Sequence, residues 1–375
     1  MTASTSFGIP DLQAIGFDEI GPERVYHYYN AAARLRAVVV IDTLRFGICG
    51  GGVRLAADLN LAEIIRLARA MSYKFALLDL PCGGAKAGIW LEPSDAQRTE
   101  VVAAFVDAVR PLVNAGSYFP GADMGTSARD FASLRAGSGR EVSLGEQDFE
   151  GMPLEDQLTG YGVVVAARAA CARLGWPLRG ARVAIEGFGK VGAGAAKYFA
   201  RHEARVVALS TVRATLHDPD GLDVDRLLAL RLEHGDAALE RYGEGKRLLA
   251  RQALFALPAD VLIPGARPDV VDGSNVDTVQ ARLIVPAANI PYAPGAPERL
   301  HARGIVPLPD FVTNAGGVLA GLVDLQRGSA ADAFAMVEER IERNVRAVLE
   351  LAGARGTSAY DAGLAVARER LGIGD

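Results

Sequence analysis

Two lysines stand twelve positions apart, Lys74 and Lys86, and the second closes the run Leu80-Pro81-Cys82-Gly83-Gly84-Ala85-Lys86-Ala87-Gly88. Helical spacing upstream puts Lys74 near a helix end, and the paired glycines put Lys86 in a tight turn. Two cations this close suggest a crowded positive pocket. Crowding and burial both disfavour the ammonium form, so either lysine can become a base near neutral pH. A lone lysine at a helix end is ordinarily solvated or satisfies the helix dipole, so the pair gains meaning only from its surroundings.

Those surroundings carry further polar groups at turns. Asp123 lies in Gly121-Ala122-Asp123-Met124-Gly125-Thr126, and Asn314 in Pro309-Asp310-Phe311-Val312-Thr313-Asn314-Ala315-Gly316-Gly317-Val318. Thr159 heads Thr159-Gly160-Tyr161-Gly162-Val163, and Asn289 ends Ala287-Ala288-Asn289. Alone, Asp123 reads as a turn-former and Asn314 as part of a loop. Gly187-Phe188-Gly189-Lys190-Val191-Gly192 is a GxGxxG between an expected strand and an expected helix. In that context the glycines let the backbone approach a pyrophosphate and the helix start donates N–H groups to it. The next strand ends Ser210-Thr211-Val212-Arg213, without the acid that would bind a ribose 2′-hydroxyl. NAD and NADP are both permitted; Arg213 reads either as a partner for a 2′-phosphate or as a plain surface arginine.

The elements that must hold these groups follow from periodicity. Val38 to Ile41 reads as a buried strand, and Gly47 to Gly52 as a tight backbone segment. Asn60-Leu61-Ala62-Glu63 resembles a capping box, opening a helix through Ile64, Leu67, Ala68, Met71, Phe75 and Leu78. A second helix is expected over 97–112, with Val101, Val102, Phe105, Val106 and Val109 buried. Residues 136–151 look like a linker or mobile loop. Beyond them a helix over 161–174 leads to strands at 183–185, 206–209, 261–263, 283–285 and 304–306, alternating with helices. That alternation indicates a parallel, doubly wound sheet. The end, 331–371, is helical, with Met336, Val337, Ile341, Val345, Val348 and Leu349 on its apolar side.

The 375 residues, half of them hydrophobic and with a net charge of -5, suggest two domains. Mild acidity argues against binding through nucleic-acid phosphates, and no run is apolar enough for a membrane span. The first six residues lack the features of a signal peptide. Cys49, Cys82 and Cys171 form no CxxC and read as reduced thiols of a cytoplasmic protein; no metal site is expected.

Taken together and in order, the lysine spacing, Gly-Gly-x-Lys, Asp-x-Gly-Thr, GxGxxG and Asn-Ala-Gly-Gly resemble the glutamate/leucine/phenylalanine/valine dehydrogenases, from Gly47 to about Gly321. The resemblance implies two domains, an N-terminal α/β substrate and oligomerisation domain and a Rossmann-like domain, with an active-site cleft between them. The expected bounds are 1–150, 151–328, and C-terminal helices over 329–375 that pack back toward the first domain. It implies NAD(P)-dependent oxidative deamination of an L-amino acid to its 2-oxo acid and ammonia, in a homo-oligomer without nucleic-acid or membrane partners. Lys74 matches the lysine that holds the substrate carboxylate, Lys86 the catalytic lysine, and Asp123 the acid that shuttles protons at the substrate nitrogen. Asn314 matches the asparagine where amino acid and nicotinamide meet. Thr159 and Asn289 line the nicotinamide pocket, and Ala266 and Ala288 belong to the cofactor site. In the mechanism so implied, Lys86 has a depressed pKa because Lys74 is near.

Side-chain selectivity departs from the family. Gly50, beside Gly51, stands where glutamate enzymes place a lysine and branched-chain enzymes a leucine. Gly121 replaces the branched-chain enzymes' alanine, and Gly321 replaces a serine or a valine; only Val318 keeps bulk. These substitutions disfavour glutamate and suggest a bulky or aromatic side chain, unless Phe119 or Met124 fills the space. A branched-chain enzyme, or a catalytically idle regulatory relative, are the alternatives.

Overall fold

The computed structural model describes residues 16–134, 143–243 and 248–373. The first six residues and positions 136–142 of the expected linker lie outside these. The described chain divides into two compact units, residues 16–72 with 81–134, and residues 73–80 with 143–373.

The first unit holds β1 (Arg24–Asn30), β2 (Leu35–Ile41), β3 (Cys49–Ala56), most of α1 (Leu61–Leu77), β4 (Gly83–Trp90), α2 (Arg98–Asn114) and β5 (Tyr118–Ala122). Its sheet runs β1-β2-β4-β3-β5. β1, β2 and β4 pair antiparallel, while β3 is parallel to both β4 and β5. Val39, Ile41, Val53, Leu55, Ala85 and Ala87 point to one face and form a core with Val101, Phe105 and Val109 of α2, the residues whose spacing foretold them.

The opposite face lies against α1. A Cβ on Gly84 would collide with Ser72 N and, at 2.5 Å, Ala68 O, and one on Gly88 would crowd Ile64 and Leu59. Gly84 and Gly88 therefore serve a close strand–helix approach, while Gly83 lies tight against the Thr43 backbone. The paired glycines do not form the turn expected from sequence, and Lys86 lies within a strand. Gly50 to Gly52 are likewise in mid-strand, where a Cβ on Gly51 would strike Ala85 O. Only Gly47, at φ 78°, supplies turn geometry there. Half of the expected capping box forms: the Glu63 N–H donates to Asn60 Oδ1 at 2.8 Å, but the Glu63 carboxylate accepts from Arg54 at 2.6 Å. Buried Asp42 pins the middle of α1, accepting from Arg69 Nε at 2.9 Å and Ser72 Oγ at 2.5 Å.

The second unit begins with the short pair β6 (Asp148–Phe149) and β7 (Met152–Pro153), followed by α3 (Leu154–Arg173) and β8 (Arg182–Ile185). Then come α4 (Lys190–Arg201), β9 (Arg205–Ser210), β10 (Thr215–His217), α5 (Val224–His234), α6 (Ala238–Tyr242) and β11 (Val261–Ile263). The chain ends through β12 (Leu283–Ile284), α7 (Ala296–Ala302), β13 (Val306–Pro307), α8 (Asp310–Thr313), α9 (Gly316–Leu325), α10 (Ala330–Arg355) and α11 (Ala359–Leu371). The strand order is β10-β9-β8-β11-β12-β13, parallel except for the β10 edge. Val183, Ile185 and Leu209 pack with α3 and α4, whereas Ala184, Ala208, Leu262 and Ile284 pack with Leu254 and Leu300. Both faces of the sheet are covered, as its near-continuous apolar strands require.

α10 and α11 also fasten the last turn of α1, which belongs to this unit. Buried Asn344 donates to Leu77 O at 2.7 Å, Arg370 donates to the same carbonyl at 2.6 Å, and Arg340 donates to Leu78 O. These donors satisfy carbonyls that a helix end leaves open. Among the described residues, no helix is long and apolar enough to cross a membrane.

Gly84→Ala is expected to push α1 off β4 and lower stability by about 1–3 kcal/mol, the usual cost of overpacking. Chemical denaturation would check it; an unchanged midpoint would show that the approach is not tight.

Candidate functional site

In the first unit, parallel registers pair Gly50 with Gly84 and Gly52 with Gly121. Alternation then puts Gly50, Gly52, Gly84, Lys86 and Gly121 on the face that carries α1, with Arg54 two residues beyond Gly52. Asp123 follows β5 directly. Its Oδ2 lies 2.6 Å from Lys86 Nζ and 3.1 Å from Arg54 Nε. Arg54 Nη1 in turn meets Glu63 Oε1 at 2.6 Å. The Asp123 loop is held by Thr126, whose Oγ1 accepts from the Asp123 N–H at 3.0 Å and donates to Val53 O at 2.7 Å.

The Lys86 side chain is only 3 % exposed. Burial holds its amine below the usual lysine range; Asp123 opposes that shift, and the Arg54 cation adds to it. Sequence spacing points to Lys74 as the second cation, and within the first unit Arg54 plays that part. Asp123 feels burial as an upward push, but Lys86 and Arg54 outweigh it and hold the carboxyl well below the carboxylate range. The cluster thus joins an anion that stays ionised to an amine whose proton is loosened. Gly52 makes the pair possible. A Cβ there would stand 2.8 Å from Asp123 Cβ and 3.1 Å from Lys86 Nζ.

The second unit brings together another group of expected site residues. Buried Lys74, in the last turn of α1, donates to Asn289 Oδ1 at 3.1 Å. The same oxygen accepts from Asn314 Nδ2 at 3.1 Å, which also donates to Ala287 O at 3.3 Å. Asn314 Oδ1 is buried and has no partner. The loops holding this group are fixed from beneath: Asp310 Oδ2 accepts from the Ile290 N–H at 2.9 Å, and Thr313 Oγ1 donates to Pro286 O at 2.5 Å. Thr159 Oγ1 donates to Glu155 O at 2.9 Å, and a Cβ on Gly317 would come within 2.6 Å of it. Val318 is half-buried and Gly321 exposed.

The glycine turn has the features that a dinucleotide needs. Gly187 takes φ 87°, and a Cβ on Gly192 would strike Gly187 O. Gly189, the N-cap of α4, has no side-chain cap and open space where a Cβ would be. The α4 N-terminus can therefore receive a pyrophosphate. Ser210 secures the turn, accepting from Gly187 N at 3.2 Å through Oγ and from Phe188 N at 2.7 Å through its carbonyl. Thr211 Oγ1 accepts from Arg213 N at 3.2 Å. Arg213 itself is exposed and pairs with Glu240, so a 2′-phosphate would have to compete with that carboxylate. Val191 packs against the core beside buried Phe188, and the Lys190 ammonium lies 3.9 Å from Asp156. Ala266 N donates to Glu186 Oε2, just past β8, at 3.0 Å, and Ala288 N to Pro264 O, just past β11, at 3.0 Å.

Five further residues contribute to these sites. Glu186, buried ahead of the glycine turn, anchors the Gly265 and Ala266 N–H groups. Arg231 of α5 donates to Phe188 O at 2.9 Å, a long-range contact with no local signal. Glu63 carries only the local signal of a cap residue. Arg54 and Gly52 had a signal, since period-two alternation places both on the strand face of Gly50.

Gly52→Ala is expected to part Lys86 from Asp123 and destabilise the protein by about 1–3 kcal/mol. A crystal structure of the variant that keeps the pair at its present separation would refute the steric account.

The profile of the Glutamate/Leucine/Phenylalanine/Valine dehydrogenase family matches residues 151–371, and that of the Glu/Leu/Phe/Val dehydrogenase dimerisation domain matches residues 28–137. The NADP(+)-dependent glutamate dehydrogenase of Pyrobaculum calidifontis is 34% identical over 287 residues, covering 73% of this chain and 68% of its own. A glutamate dehydrogenase of Thermotoga maritima is 33% identical over 289 residues, covering 72% and 68%. Among solved structures, the hetero-hexameric glutamate dehydrogenase of Thermus thermophilus, in a leucine-bound form, superposes with a TM-score of 0.81 at 30% identity. That match covers 93% of this chain and 88% of the other. Matched in order along both of its parts, the chain belongs to the Glutamate/Leucine/Phenylalanine/Valine dehydrogenase family.

Proposed function

We propose that this protein is an NAD(P)-dependent L-amino acid dehydrogenase whose substrate carries a large side chain without a carboxylate. The observation that carries the side-chain reading is the absence of side chains at Gly50, Gly121 and Gly321. A Cβ at Gly121 or Gly321 would meet nothing within 4 Å. No cation stands at position 50 and no hydroxyl at 321, so a buried γ-carboxylate would lack the partners it requires, at a cost of several kcal/mol. Phe119, in register with Gly50, is 53% exposed and Met124 40%. Phe119 shares the strand face of Gly50 and Gly121, and both side chains offer apolar surface to a substrate.

The chain's own groups divide the work. The glycine turn, Ser210 and the start of α4 would hold the dinucleotide, with Thr159, Asn289 and Asn314 toward its nicotinamide. The lone acceptor Asn314 Oδ1 suits an amide or ammonium donor. Bound NAD(P) supplies the hydride acceptor for deamination. Lys74 offers its ammonium to the α-carboxylate. Lys86, its proton loosened by burial, takes a proton from the water that adds at the α-carbon. Asp123, held ionised, accepts from the substrate amine.

The match to a dimerisation domain supports a homo-oligomer, and we place the protein in the cytoplasm. One specific observation favours a second reading, glutamate itself, because the curated relatives reported above are named for it. A catalytically idle regulator is the less economical reading while Lys74, Lys86, Asp123 and Asn314 are all present.

Reductive amination of aromatic, branched and acidic 2-oxo acids with NADH and with NADPH decides among these. The highest kcat/KM is expected for an aromatic acid, and a preference for 2-oxoglutarate would overturn the side-chain reading. Silence with every acid would favour the regulator. Lys86→Ala should cut turnover by at least ~10²-fold, the low end of general-base contributions, while cofactor affinity measured by fluorescence stays near the parent value.

A further inference from the structure

We propose that Arg54 and Glu63 are positioning residues that set the protonation of Lys86, acting through Asp123 as a line of alternating charge. The geometry is closed within the first unit. Glu63 of α1 meets Arg54 of β3, Arg54 meets Asp123, and Asp123 meets Lys86 of β4, at 2.6, 3.1 and 2.6 Å in turn. Both cations converge on one oxygen, Asp123 Oδ2. Arg54 thus draws on the lone pairs that would otherwise stabilise the Lys86 ammonium, and also repels it.

The site is dry enough for this to matter. The Arg54 side chain is 7% exposed, and Glu63, at the outer end of the line, 22%. Charge interactions at such depth are several times stronger than in water. With Lys86 protonated the four groups sum to zero, and with Lys86 neutral they sum to one negative charge. Glu63 therefore favours the ammonium and Arg54 the free amine, in keeping with the directions in which each moves Lys86. The two act with opposite sign, although a purely mechanical role would make them alike: each ties α1 to the sheet.

The inference rests on Lys86 as the base, but its test does not require turnover. The chain has five lysines, so ¹³Cε-lysine labelling of the full-length protein gives a sparse spectrum in which Lys86→Arg assigns the Lys86 signal. In Arg54→Gln the Lys86 titration midpoint is expected to rise by about one pH unit or more, the size of effect of a charge at this range. In Glu63→Gln it should fall, and in Arg54→Lys, which keeps the charge, it should stay near the parent value. The alkaline rise of kcat/KM for deamination should move the same way in each variant. Midpoints that stay put, or that move together, overturn the proposal. If Arg54→Gln does not fold, the fall in Glu63→Gln decides alone. A protein silent with every 2-oxo acid would sink the dehydrogenase reading and leave the titration still able to support or refute this one.

Discussion

Burying the Lys86 amine is the constraint on which the candidate site depends. An ammonium taken out of water loses several kcal/mol of solvation unless opposite charge meets it. Asp123 supplies that charge at 2.6 Å. A buried Asp–Lys pair left alone would be an inert bridge. Arg54, on the same carboxylate oxygen, prevents that outcome: it keeps Asp123 ionised while weakening its hold on the lysine proton.

The glycines follow from the same packing. Lys86 reaches Asp123 only across the face of β3, and Gly52 is the residue it crosses. Gly84 lets α1 lie directly on β4, which places Glu63 at the outer end of the charge line. Chain segments rich in glycine usually read as turns, because freedom in φ is glycine's commonest use. Here most of these residues are extended, and their value lies in the missing Cβ. Gly47, Gly125 and Gly187 are exceptions, with φ of 78°, 79° and 87°.

In the second unit the same economy applies to amides. Asn289 Oδ1 serves both Lys74 and Asn314, so two expected site residues share one acceptor while Asn314 Oδ1 stays open. The supporting groups, Asp310, Thr313 and Glu186, satisfy backbone atoms of loops that would otherwise bury them unpaired. Such groups hold the site without touching the chemistry.

The strands and helices were legible because their signals are local: α2 buries the five residues its periodicity named, and the GxGxxG turn lies between β8 and α4. The order of motifs sufficed for the family, since each short run is specific in sequence. What sequence could not decide was which charges meet. Arg54 and Asp123 are far apart in the chain, and only the parallel pairing of β3 with both β4 and β5 brings Arg54, Lys86 and Asp123 to one carboxylate oxygen. Glu63 looked like a cap because capping boxes are local, yet the buried guanidinium beside it was the stronger partner. Arg213 looked available to a phosphate until α6 brought Glu240 to it. Sequence by itself determined the kinds of groups and the elements that carry them, because propensity and periodicity act over a few residues. Tertiary structure alone decided their pairing, because electrostatic partners are chosen by distance and burial, not by order along the chain.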